Sequence, residues 1–121
     1  AVRAASELRA MAFGTATAAP LELVGVADSP ALVADLRTLA QLQEQQARLD
    51  GLSFEISEAT LLSLAGTAAR VQVTVATSGH RVVGTEDGRL HAEVPPSPPA
   101  ALVLTLERQD GQWRISSVTT P

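Results

Sequence analysis

Cysteine, lysine, asparagine and tyrosine are all absent from the 121 residues. Without cysteine there is no disulfide framework and no thiol chemistry, a composition that suits either side of a membrane. Aromatics are reduced to Phe13, Phe54 and Trp113, so a core has to be assembled from Leu, Val and Ala. No run approaches the roughly 18 consecutive apolar residues that span a bilayer, and no signal peptide is visible. The nine basic residues, all arginine, are scattered singly against 13 acidic ones. A net charge of −4 without a clustered basic surface argues against nucleic acid as a partner, because counterion release needs such a cluster.

What is present fits one domain, residues 1–121. A hydrophobic content of 45% is ordinary for a packed fold, and a chain of this length buries roughly two-thirds of its unfolded surface. The chain opens at Ala1, without an initiator Met, directly into a helix-like pattern. We expect it to be a piece of a longer protein, with any targeting or membrane segment upstream.

Residues 2–13 carry Val2, Ala5, Leu8, Ala12 and Phe13 at helical spacing, with Arg3, Glu7 and Arg9 assigned to the wet side and Gly14 as the stop. Pro20 opens a short second helix that ends before Asp28. Ser29 as N-cap and Pro30 at the first helical position start a third. Its stripe is Leu32, Leu36 and Leu39, widened by Val33, Ala40 and Leu42. Glu44 and Arg48 are spaced for an i,i+4 pair and Gly51 is suited to the C-cap, which predicts a helix over 30–48.

From residue 52 the period changes from 3.6 to 2. Leu52, Phe54 and Ile56 alternate with polar residues, and the strand continues through Leu61–Leu64 after a kink or bulge. Ala69, Val71, Val73 and Val75 then point one way while Arg70, Gln72 and Thr74 point the other, after a turn at Gly66-Thr67. A short strand is expected over 80–83, followed by a turn at Thr85–Gly88. Residues 94–99 hold four prolines, which lack an amide donor, and read as an extended loop at the sheet edge. Two alternating runs close the chain, joined at Asp110-Gly111 by a pair that tolerates positive φ and suits a type I′ turn.

Helices followed by about four antiparallel strands predict an α+β fold, with the N-terminal helices packed on a curved antiparallel sheet. In that order, the stretches ADSPALVADLRTLAQLQEQQARLDGLSFEI and VLTLERQDGQWRISSV resemble the nuclear-transport-factor-2-like superfamily of cystatin-like cones. They are similar to a subgroup found in actinobacterial proteins, often membrane-anchored, and the alanine-rich, all-arginine composition fits such a high-GC source. The resemblance implies a domain lying outside the membrane or beside another module. Its motifs are structural, and they carry no reaction with them.

Enzymes of that superfamily work inside the cone, and each type of site asks for particular residues. A steroid-isomerase-type oxyanion hole needs a tyrosine, which this chain lacks. A hydrolase-type site needs converging acids and an arginine; Asp28, Asp35, Glu55 and Arg70 are available, but their spacing does not make them converge. A cyclase-type His–Asp pair would have to use His80 or His91, both in the irregular region. Two isolated histidines and no cysteine give no metal-ligand spacing, so neither a metal nor a cofactor is expected.

Phe13, Leu36, Phe54 and Trp113 are the candidates to line a pocket, with core packing as the plainer role for each. Asp35 and Glu55 are the candidates for acid–base work should the cone be an active site. The expected function is that of a non-catalytic, extracytoplasmic interaction or ligand-sensing module, tethered to a membrane through a segment outside this chain. A small apolar ligand and a second copy docked through the sheet face are its expected partners. The alternative is a small isomerase, cyclase or hydrolase acting on an apolar substrate in the cone.

Overall fold

The computed structural model describes residues 2–121, and three helices precede seven strands in it. The helices are α1 (Val2–Thr15), α2 (Ala19–Val24) and α3 (Pro30–Glu44). The strands are β1 (Ala47–Asp50), β2 (Phe54–Ala65), β3 (Ala68–Thr77), β4 (His80–Gly84), β5 (Leu90–Val94), β6 (Ser97–Gln109) and β7 (Gln112–Thr119). The main sheet has the order β2-β3-β6-β7 and is antiparallel throughout. A smaller antiparallel sheet, β1-β4-β5, stands at one end of it.

The two sheets share one bent hairpin. Strand β3 pairs with β6 and β4 pairs with β5, so residues 68–84 and 90–109 run side by side through both sheets. The bend falls at Ser78-Gly79 on one arm and Pro95-Pro96 on the other. Gly79 lies so close to Pro96 that a Cβ there would meet the Pro96 ring at 3.2 Å. The proline segment is therefore a corner and the start of a strand, not a loop. Pro98 and Pro99 sit opposite the single Ala76 in a register shift between Val75↔Ala100 and Thr77↔Ser97. On the other side β7 begins to pair only at Val103. A bulge with a free flank is where a sheet tolerates residues that cannot donate.

Helix α3 begins as expected. The Ser29 hydroxyl accepts from the Leu32 amide at 3.3 Å and Pro30 occupies the first turn. The helix ends at Glu44, four residues short of the expected boundary, because Gln46 turns to φ 53 and the chain enters β1. Gly51, at φ 82, serves the turn from β1 to β2 instead of capping the helix. Arg48 then lies on a strand and pairs with Asp50, not with Glu44. The closing turn forms as predicted, with Asp110 at φ 51 and Gly111 at φ 77.

Two separate apolar cores hold these elements together. The first gathers Ala12, Phe13, Leu21, Leu32, Leu39, Leu42 and Ala47, with Leu36, Leu49 and Val82 packed against it. The second gathers Val24, Ile56, Ala69, Val73, Leu104, Leu106 and Ile115. Helix α1 serves both, presenting Ala12 and Phe13 to the first and Val2, Ala5 and Leu8 to the second. The α2–α3 connection is fastened to the last strand by the Val26 amide, which donates to the Ile115 carbonyl at 2.9 Å.

Candidate functional site

Between the helices and the main sheet lies a partly open cavity of about 600 Å³. Its roof consists of Val2, Ser6 and Arg9 from α1, Val24 and Gly25 at the end of α2, and Pro30, Ala31, Ala34 and Asp35 from α3. Its floor is Phe54 and Ile56 of β2, Val73, Val75 and Thr77 of β3, and Leu102 and Leu104 of β6. Ile115, Ser117, Val118 and Thr119 of β7 complete it.

Side-chain size explains why the space stays open. Positions 31, 34 and 35 share one face of α3 by the i,i+3,i+4 rule, and two of the three are alanine. Gly25 adds no side chain at all, and it cannot: a Cβ there would stand 2.7 Å from the Leu32 Cβ. The opposing valines are too short to reach across.

Arg9 and Asp35 are the charged residues on this apolar lining. The Arg9 Nε donates to Asp35 Oδ2 at 2.8 Å and its Nη2 donates to Oδ1 at 3.0 Å. This two-pronged arrangement is the strong form of a guanidinium–carboxylate pair. Side-chain exposures of 32% and 18% put both groups largely out of water. The guanidinium carbon lies 4.9 Å from the centre of the Phe54 ring, a cation–π contact that fixes the arginine from a second side.

Of the sequence-predicted lining residues, Phe54 faces the cavity. Phe13 and Leu36 belong to the first core and do not line the cavity. Trp113 is half-buried beside the second core, opposite Arg108 near the closing turn. Of the two acids, Asp35 lines the cavity and Glu55 does not. Glu55 is exposed between Phe54 and Ile56, so strand alternation turns it to the opposite face. His80 lies in a shallow groove with Asp50, Arg81 and Glu93, its Nδ1 2.8 Å from the Ser78 carbonyl. His91 is exposed on β5.

Arg9 is the charged lining residue that sequence reasoning missed, because its charge suggested solvent. A signal was present. Val2, Ser6 and Arg9 follow an i, i+4, i+7 spacing, which puts the arginine on the face that Val2 buries. Its partner lies 26 residues away on another helix, and no local pattern announces such a pair.

What the arrangement can do chemically follows from these contacts. Asp35 holds its charge matched by a guanidinium on both oxygens. No second carboxylate or histidine lines the cavity among the described residues. An acid–base relay has one member here, and that member is already engaged.

Neither a protein-family model nor a curated protein matches the chain by sequence. Solved structures do match by shape. The intermembrane space region of the chloroplast protein ARC6 aligns with a TM-score of 0.70 at 17% identity, over 99% of this chain and 92% of that one. An uncharacterised protein with a cystatin-like fold from Caulobacter vibrioides aligns with a TM-score of 0.55 at 16% identity, over 100% of this chain and 89% of that one. The fold is a cystatin-like cone. At such identities the likeness speaks to fold alone.

Proposed function

We propose that this chain is a non-catalytic binding module whose cone holds one small apolar ligand. The observation that carries the reading is the cavity: about 600 Å³, within the range of small-molecule sites, apolar on nearly all sides, with its charges paired to each other. A site of this kind provides burial and one polar anchor. It offers no set of groups to move protons around a substrate.

The test uses N-phenyl-1-naphthylamine, an uncharged probe that fluoresces in apolar surroundings. One saturable equivalent is expected to bind the wild-type chain. Ala31→Leu, which fills the roof, should abolish binding while leaving the circular-dichroism melt intact. Lack of saturable binding by the wild type would overturn the reading.

One observation favours a second reading, that of a small isomerase, cyclase or hydrolase: Asp35 does line the cavity. Under that reading a bound apolar ester, ketone or epoxide is converted to product, and Asp35→Asn stops conversion without stopping binding. Recovery of such ligands unchanged after incubation supports the module.

We further propose that the module acts outside the cytoplasm, tethered through a segment beyond this chain. Its support is the subgroup resemblance of the Ala27–Ile56 and Val103–Val118 stretches, and a structural neighbour that is itself an intermembrane-space region. No helix among the described residues is long and apolar enough to cross a bilayer, so a helical tether would come from elsewhere in the protein. A second copy on the outer sheet face is the proposed partner. Exposed Arg70 and half-buried Gln72 and Thr74 suit a wet, weak interface. Exposed Leu61, Leu62 and Leu64 on the edge strand β2 would add apolar contact. Sedimentation velocity across a concentration series decides it.

A further inference from the structure

We infer that the cavity selects uncharged ligands with a single polar terminus, an alcohol or a carbonyl on an apolar body, and discriminates against carboxylates and ammonium ions. The inference rests on the ligand-binding reading and narrows it to a chemical class. It is carried by the way the charges on the lining cancel. Arg9 and Asp35 bind each other at 2.8 and 3.0 Å, and no other charged residue lines the cavity among those described.

A ligand carboxylate has two ways to meet this pair, and both are unfavourable. It can displace Asp35 from Arg9, which leaves an aspartate of 18% side-chain exposure without its counter-ion in an apolar chamber. Or it can sit beside Asp35 as a like charge. An ammonium ion meets the mirror-image difficulty at Arg9. A hydroxyl or carbonyl meets neither. The guanidinium has five N–H donors and uses two on Asp35, so others remain to donate to a ligand oxygen. The Asp35 oxygens keep lone pairs that can accept from a ligand hydroxyl. One neutral terminus can thus be satisfied in both directions with the ion pair intact.

Phe54 makes the arrangement rigid. With its ring 4.9 Å from the guanidinium carbon and the carboxylate beside it, Arg9 is held from two directions and does not turn readily toward a competing anion. Ser6, three residues before Arg9 on the same helix, and Thr77 and Ser117 across the floor add hydroxyls to the lining without adding charge. Size sets a further limit. At about 30 Å³ per water-sized group and interior packing density, the cavity takes about 15–20 non-hydrogen atoms at most.

The experiment compares 1-decanol, decanoate and decylammonium at neutral pH by ligand-observed NMR titration on the whole chain. The wild type is expected to bind decanol about tenfold or more tightly than either ion. Asp35→Asn leaves Arg9 unmatched and should raise decanoate affinity about tenfold. Arg9→Gln leaves Asp35 unmatched and should favour decylammonium instead. This inversion between two variants of one pair is not something a loosened fold would produce. If either variant unfolds, the wild-type rank order alone decides. Decanoate binding as tightly as decanol, or an Asp35→Asn variant with unchanged preference, overturns the selectivity while ligand binding stands. Failure of all three to bind overturns the ligand-binding reading itself.

Discussion

Helix α3 (Pro30–Glu44) presents two different faces, and the molecule divides between them. Leu32, Leu36, Leu39 and Leu42 pack with Phe13, Leu21 and Ala47, and that part of the domain is solid. Ala31, Ala34 and Asp35 stand over the main sheet, and that part is hollow. Both parts are apolar, and both use the same two long helices. What differs is side-chain reach. Leucine against phenylalanine closes the gap between layers; alanine against valine does not. A cone of one shape can therefore be a core in one part and a binding chamber in the other. The difference lies in a handful of side-chain volumes, not in topology.

The largest effect should come from removing volume in the solid part. Leu39 is 2% exposed, and Leu39→Ala leaves a void among packed neighbours, with an expected loss of about 2–5 kcal/mol. Leu102→Ala removes the same atoms from the chamber floor, where the side chain is only half-buried and already faces open space. Its loss should be about 1 kcal/mol. Urea denaturation of the two variants measures both, and equal losses would break the distinction between solid and hollow.

The solid half was more legible in the sequence than the hollow half, for a physical reason. Helix stripes, the Ser29-Pro30 start, the period-2 strands and the Asp110-Gly111 turn are local, and each has its own chemistry. The α3 stripe is narrower than its apolar pattern: Val33 is 44% exposed, and Leu32, Leu39 and Leu42 are the buried members. The boundary at 48 failed because Glu44, Arg48 and Gly51 imitate a helix end. Gln46 breaks the helix earlier by adopting positive φ, which nothing in the Gln-rich run signals. The prolines misled in the opposite direction, since a bulge and a corner accept them as readily as a loop does. The chamber is a property of distances between layers. Ala31 and Ala34 look like ordinary helix formers until the sheet is seen opposite them, and Arg9 looks solvated until Asp35 is found facing it.

Gly25 sits where the two halves meet, lining the chamber while touching Leu32 of the solid core. Its φ of −96 suits any residue, so Gly25→Ala tests sterics alone. The added Cβ would lie 2.7 Å from Leu32 Cβ and 3.3 Å from its Cα, backbone and stem atoms that cannot swing away. A loss of about 1–3 kcal/mol is expected, read in the same denaturation assay. Retained stability would mean the junction is looser than the contacts imply. A smaller loss, about 1 kcal/mol, is expected for Ser29→Ala, which removes the hydroxyl that accepts from the Leu32 amide and so loosens the first turn of α3. Because that turn roofs the chamber, probe affinity should fall along with the melting temperature.

The smallest effect belongs to the rim of the solid half. Asp50 ends β1, the strand that brings Ala47 and Leu49 to the first core. Its carboxylate accepts from Arg81 at 2.8 Å and from Arg48 at 3.4 Å. The Arg81 hydrogen bond, seconded by Arg48, holds the acid below its ordinary value of 3.8 against a smaller opposing effect of desolvation. A carboxyl group lowered in the folded state binds protons more readily when unfolded, so its contribution is complete above the unfolded value and is lost as pH falls through the folded one. The stability difference between wild type and Asp50→Asn should thus be constant above about pH 5 and shrink toward zero in stronger acid. Carbon-detected NMR titration should find the Asp50 midpoint below 3.8. Exposure keeps the effect small, because water and salt screen a surface pair. The contrast with Arg9–Asp35 is informative: the same chemistry at the exposed rim only trims acid stability, whereas shielded in the chamber it decides which ligands can enter. A midpoint at or above 3.8 would show that the rim pair is not formed in solution.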